Sequence, residues 1–368
     1  MMPSTQHIPS SFHHFDEYIR QVEPGKKEKG EIWQTAIGLQ QVDGLKPSEY
    51  LIQTAIENIE GDITFEEVKN RIDAYYKSQS VKNGEDNNRT EEADKVSARI
   101  AEILSEKTFL FSPDEYQNIH RRLFTGIYKF AGKIRDYNIT KGEWVLDGDT
   151  VLYAPAETLK TAIKYDIEQE REFNFKGLSQ QQIIEHLANF TVYLWQIHPF
   201  GEGNTRTTAV FLIKYLHKLG YKNISNELFA QHSWYFRNTL VRANYKNLQK
   251  NIVATNKYVV RFLENLMLGE NNILKNRELH IDFVPNSGEI DTVKATNDTV
   301  CDTVKIKNDT ANDVVLELIN ENKSITAEEI RIKLNIGIAT AKRRIKKLKD
   351  AGIISRIGSD KTGHWQIN

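Results

Sequence analysis

The sequence predicts a mainly α-helical protein of more than one domain, and three observations carry that prediction. Apolar residues recur at helical spacing through most of residues 31–270. Asp147-Gly148, set between the β-prone runs Trp144-Val-Leu146 and Thr150-Val-Leu-Tyr153, marks a lone β-hairpin in their midst. The C-terminal stretch patterns as three helices followed by two short strands, the winged form of helix-turn-helix.

Taken in order, residues 1–30 are polar, end in PGKKEKGE and are expected to form a loose leader or a capping segment rather than a core element, with order starting near Glu31. EIWQTAIGLQQV follows with one apolar helical face and stops at Asp43-Gly44. Ser48 caps a second helix, EYLIQTAIENI, and Thr64 with Glu67 forms a capping box for a third. The polar run at 77–92 reads as an exposed, mobile loop. The expected organisation is a helical module at 1–92, a larger helical domain with its hairpin at 93–270, a Thr/Asn/Asp-rich tether at 271–310 that repeats DTVK and NDT, and the winged helix at 311–368.

Composition excludes several classes. The 368 residues suffice for two or three domains, and a formal net charge of −1 points to neither nucleic acid nor membrane as a global partner. Cys301 is the single cysteine, so no internal disulfide can form. No run of 18 apolar residues and no secretory leader is visible, and the expectation is a soluble cytoplasmic protein. A homodimer stays open.

The chemistry concentrates in HPFGEGNTR, residues 198–206, between two apolar helical segments. Pro199 and the glycines interrupt the first helix, and the next starts near Asn204. The amides of Gly201 to Thr205 are thereby left without helical acceptors, in a nest that suits phosphate. Arg206 can add a forked pair of donors, Glu202 is the kind of hard oxygen ligand that Mg²⁺ accepts beside substrate phosphates, and His198 can take a proton from a hydroxyl. Single features of this kind are common at helix ends and turns, but all of them within nine residues are not.

The stretch resembles the signature of the Fic family (filamentation induced by cAMP), His-x-Phe-x-Asp/Glu-Gly-Asn-Gly-Arg-x-x-Arg, in His198, Phe200, Glu202, Gly203, Asn204 and Arg206. The resemblance implies a Fic-type helical domain whose hairpin is a target-docking flap, and transfer of AMP from ATP to a Ser, Thr or Tyr hydroxyl of a target protein. His198 would be the base, Glu202 the Mg²⁺ ligand, Gly201, Gly203, Asn204, Thr205 and Arg206 the nucleotide holders, and Phe200 a core anchor. Trp144, Val145 and Leu146 would dock the target as an added strand, and Tyr235 and Asn244 would line the adenine pocket. Two departures are plain: Thr205 replaces the second glycine, and Ala209 stands where the second arginine belongs. A different donor, removal of AMP, or a DNA-binding regulator that only senses a nucleotide stay open as alternatives.

Residues 39–67 are similar to the antitoxin partners of Fic toxins, whose inhibitory helix carries Ser/Thr-x-x-x-Glu-Gly/Asn. Aligning Asp43-Gly44 with Glu-Gly places Leu39 at the Ser/Thr position; a second register uses Glu60-Gly61 with Ile56. With Ala209 in place of the partner arginine, Asp43 is expected to have lost its inhibitory ion pair, and the alternative that residues 31–76 simply pack on the larger helical domain stays open. In the winged helix, ten Lys/Arg against two Asp/Glu between Arg331 and Lys361 give the local charge expected for phosphate contact. Thr340, Lys342, Arg343 and Lys346 are candidates for a DNA groove and Lys361 for the wing, with protein docking as the alternative use of such a module.

Overall fold

The computed structural model describes residues 12–79, 85–221, 224 and 227–283, and in the C-terminal part 318–320, 322–334, 345, 348–349, 354–357 and 364–367. The chain divides into two compact units, Met1–Ser287 and Gly288–Asn368.

The first unit is mainly helical over its described residues, with one long stretch of turns and short 3₁₀ segments at residues 125–158. Helices α1 (Phe12–Gln21), α2 (Pro24–Gly38), α3 (Glu49–Glu60), α4 (Phe65–Gln79) and α5 (Glu85–Ser105) lead into α6 (Pro113–Phe124), α7 (Leu159–Glu172), α8 (Gln180–Ile197), α9 (Asn204–Lys218), α10 (Glu227–Ala243) and α11 (Lys257–Leu268). Local chemistry explains many of the ends. Ser48, Ser112 and Ser179 each accept from a first-turn amide, and Thr64 and Glu67 exchange the two bonds of a capping box. Helix α9 lies at the centre: Asn204 through Leu216 are all buried, so it packs on every side.

Four expectations from the sequence are corrected here. Residues 12–30 form α1 and the first half of α2 rather than a leader, and Phe15 and Ile19 share a face of α1 that is buried in the core. Most of the presumed loop at 77–92 is helical too: α4 continues to Gln79 and α5 begins at Glu85, crossing the expected boundary at 92/93. The apolar residues of 15–76 and those of α8 and α9 form one continuous core, so the N-terminal part packs as a wall of this unit. The presumed tether begins later than 271, since Leu279 is buried in a 3₁₀ turn (Asn276–Leu279) and Ile281 N–H donates to Val145 O at 2.9 Å.

A further correction concerns the hairpin. Asp147 and Gly148 do adopt the positive φ angles, 54° and 81°, that Asp-Gly turns favour. The flanking residues, however, form a 3₁₀ turn (Trp144–Leu146) and no strand. Val145 and Leu146 are both fully buried, which the alternating faces of a half-exposed strand do not allow. The loop closes on itself through Glu143 N–H to Asp149 O and Gly148 N–H to Glu143 O.

In the second unit, Thr326 and Glu329 form the expected capping box at the start of α12 (Ala327–Leu334). Strands β1 (Ile354–Ile357) and β2 (His364–Ile367) pair antiparallel as the sequence predicts. Ile319, Ile325, Ile330, Ile345, Leu348, Ile354 and Trp365 form a core of their own. Thr340, Lys342, Arg343, Lys346 and Lys361 lie outside the described residues.

Candidate active site

The candidate site is built where α8 stops and α9 starts. His198 ends α8 in the left-handed region, with φ 50° and ψ 57°. This turn aims its ring back along the helix, where Nδ1 lies 3.3 Å from Trp195 O. A carbonyl only accepts, so Nδ1 carries the proton and Nε2 keeps its lone pair. Burial, then the nearby charge of Lys141, hold the imidazole well below the usual histidine range, so it is neutral at pH 7. Tyr153 packs against the ring at 4.4 Å.

The loop's shape is fixed from beneath. Arg135, which is buried, donates from Nε to His198 O at 2.9 Å and from its amide to Pro199 O at 2.9 Å, and a further guanidinium N–H reaches Ala154 O at 2.6 Å. His120 Nδ1 accepts from Gly132 N–H at 2.8 Å, which leaves Nε2–H to donate to Glu202 O at 3.0 Å. Phe200 stacks on the His120 ring at 3.7 Å and is fully buried, the core anchor expected of it. Gly203 takes φ 77°, and a Cβ there would lie 2.4 Å from the Phe124 ring. No other residue fits this close approach.

Asn204 turns inward: Oδ1 accepts from Phe200 N–H at 3.0 Å and Nδ2 donates to Phe200 O at 2.8 Å. Its side chain shapes the loop instead of reaching for phosphate. Thr205, the departure from glycine, accepts from the indole N–H of Trp195 at 2.9 Å and so ties α9 to α8. The amides of Asn204, Thr205 and Arg206 precede the first bond of the helix, Thr207 N–H to Gly203 O, and have no helical acceptor, as expected. Glu202 keeps its side chain half exposed, 3.0 Å from Lys141 Nζ.

Arg206 departs most from its expected role. Its side chain is 1% exposed. Nε lies 2.9 Å from Asp43 Oδ2, NH1 donates to Gln40 Oε1 at 3.0 Å, and NH2 donates to Glu92 Oε1 at 2.6 Å. The Asp43 contact is an ion pair without a well-aligned hydrogen bond, since both atoms are left without a geometric partner. The guanidinium also lies 4.8 Å over the Phe124 ring. Asp43 has therefore kept an arginine partner, the first of the motif in place of the missing second, and the expectation of a lost pair is overturned. Gly44 ends the 3₁₀ turn Leu39–Asp43 at φ 67°, which turns the chain away directly after Asp43. In the other register, Glu60 meets Lys26 and Tyr18, far in sequence from the motif.

Other expected site residues are placed differently. Tyr235 is 1% exposed within the core, and the Asn244 amide donates to Val192 O and Leu240 O, so neither side chain presents itself to a base. Val145 and Leu146 are core, whereas Trp144 is 50% exposed and Leu152 83% exposed. The loop is pinned to α8 through Gln196 Nε2 donating to Leu152 O at 3.0 Å. The residues that sequence reasoning missed, Gln40, Glu92, His120, Arg135 and Lys141, carry no local signal; each becomes meaningful only through a partner distant in sequence. Two clefts, of about 1030 and 380 Å³, lie away from the loop, the larger lined by Lys27, Glu31, Lys214 and His217 among others.

Residues 110–216 match the Fic/DOC family, and residues 314–355 match the family described as winged helix-turn-helix DNA-binding. A protein adenylyltransferase, VbhT of Bartonella schoenbuchensis, is 31% identical over 113 residues, which is 30% of this chain and 22% of that protein. Probable protein adenylyltransferases named Fic are 27% identical over 106 residues in Escherichia coli and 28% over 116 in Salmonella typhimurium, covering 50% and 54% of those proteins. The similarity thus spans about half or less of each relative's length. A solved Fic family protein from Desulfovibrio desulfuricans G20 aligns over 99% of this chain and 97% of that one at 12% identity, with a TM-score of 0.43. The chain carries a Fic/DOC family domain over residues 110–216 and a winged helix-turn-helix over residues 314–355.

Proposed function

We propose that this protein transfers AMP from ATP to a side-chain hydroxyl of a target protein. The observation that carries this reading is His198 itself: neutral, with Nδ1–H turned to Trp195 O and Nε2 unprotonated, at the lip of an amide nest on α9. Nε2 takes the proton of the hydroxyl, whose oxygen attacks the α-phosphorus. The bond to the bridging oxygen breaks and pyrophosphate leaves. The Asn204, Thr205 and Arg206 amides meet the negative oxygens of the reacting phosphate at the positive end of the helix.

The donor set fits Mg²⁺ bound through one carboxylate and completed by phosphate oxygens and water. Glu202 is that carboxylate, and among the described residues no group of three His, Cys, Asp or Glu side chains forms an all-protein cage. When bound, the ion would neutralise charge on the departing pyrophosphate.

Arg206 is the restraint. Held by Asp43, Gln40 and Glu92, it is withheld from phosphate, and its release would complete the site. The target approaches over Trp144 and Leu152, the exposed apolar residues of the pinned loop. The basic winged helix binds DNA in a second, separable activity, read out as a mobility shift that weakens as salt rises. The catalytic reading is tested with cell extract and ATP labelled at the α- or γ-phosphate. Protein should acquire label from the α-position only, and none with His198→Ala; labelling from the γ-position would replace AMP transfer with phosphate transfer.

A further inference from the structure

Resting on the nucleotide reading above, we infer that Lys141 binds the polyphosphate of the nucleotide. Arg206 is buried against Asp43, Glu92 and Gln40. Arg135 spends its guanidinium on the carbonyls of His198, Tyr137 and Ala154. Arg237 lies 2.7 Å from Glu143, a carboxylate only 2% exposed, and stacks on Trp234 at 5.1 Å. A buried carboxylate does not release its partner at small cost. Lys141 differs from all three, because its ammonium meets Glu202, a half-exposed side chain of the phosphate loop itself.

The lysine is also held in place. Its amide donates to Thr150 Oγ1 at 3.2 Å. The next residue, Gly142, packs so closely on Gly148 that a Cβ would lie 3.1 Å from the Gly148 carbonyl. With the loop pinned at Gln196, the lysine stem starts from a fixed point and its Nζ ends 3.0 Å from Glu202 Oε2. The ammonium therefore sits where a divalent cation bound to Glu202 would lie, and its charge adds to the forces that keep His198 neutral. A metal ion held by Glu202 would leave the Lys141 ammonium available to phosphate oxygens. Without the metal it supplies the positive charge directly. An ammonium is a point charge with three donors and suits a polyphosphate without demanding one geometry.

The test is calorimetric titration of ATP and ADP into the full chain in EDTA, with wild type, Lys141→Ala, Lys141→Arg and Glu202→Gln. Lys141→Ala should weaken ATP binding about tenfold or more, as expected for losing a charge-assisted contact, while Lys141→Arg retains most of it. Glu202→Gln should tighten ATP in EDTA, because it removes both a competitor for the lysine and a repulsive charge. Thermal melts of each variant confirm folding. Equal ATP affinity in wild type and Lys141→Ala overturns the inference and leaves the nucleotide reading standing. A wild-type protein that binds no nucleotide overturns both.

Discussion

His198 and Arg206 stand eight positions apart in one motif, and the structure treats them in opposite ways. His198 has its ring orientation set by the carbonyl of its own helix, with Nε2 left over for chemistry. Arg206 has its guanidinium spent on Asp43, Gln40 and Glu92, on elements from the beginning of the unit. A motif therefore names the residue types that can act, while burial and long-range partners decide which are at liberty. The histidine keeps one ring nitrogen outside its contact with Trp195, and the arginine guanidinium is engaged by three partners.

Breaking the shared scaffold should have the largest effect. Gly203→Ala places a Cβ 2.4 Å from the Phe124 ring on a backbone with φ 77°. The expected loss is about 3 kcal/mol, measured by denaturant unfolding, because overpacking and strain add. A loss under about 1 kcal/mol would mean that the ring yields and the loop is softer than described.

Cutting the clamp sharpens the contrast between the two ends. Glu92→Gln should cost about 2 kcal/mol and Asp43→Asn less, since Glu92 makes aligned bonds to Arg206 and Tyr128 whereas the Asp43 contact is poorly angled and its side chain 31% exposed. Both should raise transfer several-fold by loosening Arg206. Equal stability losses with no gain in transfer would make the clamp an internal tie only.

A smaller effect follows from His120, beneath the same loop. Burial lowers its pKa from the ordinary histidine value of 6.5 to about 4. The unfolded chain therefore takes up the proton first as pH falls, and stability is lost from pH 6.5 down to about 4, with no further loss from this group below that. Between pH 6.5 and 5.5 the loss from this one ring is about 1 kcal/mol. His120→Gln should remove that amount from the pH dependence of the unfolding free energy measured in denaturant; an unchanged slope would mean that the ring is not neutral in the fold.

What the sequence disclosed and what it withheld divide along the same line. His198, Gly203 and the two Thr/Glu capping boxes were legible because their partners lie within a few residues. The Asp147-Gly148 turn was legible and its strands were not, because turn chemistry is local while the burial of both Val145 and Leu146 depends on the core around them. The fate of Arg206 was hidden for the same reason: Glu92 and Gln40 lie 114 and 166 residues away in the chain. Thr205, a departure when set beside the family signature, became intelligible once Trp195 was seen to donate to it.

One measurement tests the account most directly: ATP labelled at the α-phosphate, given with cell extract to wild type, Asp43→Asn, His198→Ala and the double variant. The account predicts label on protein with wild type, more with Asp43→Asn, and none with either variant that lacks His198. Labelling that persists without His198 would contradict it.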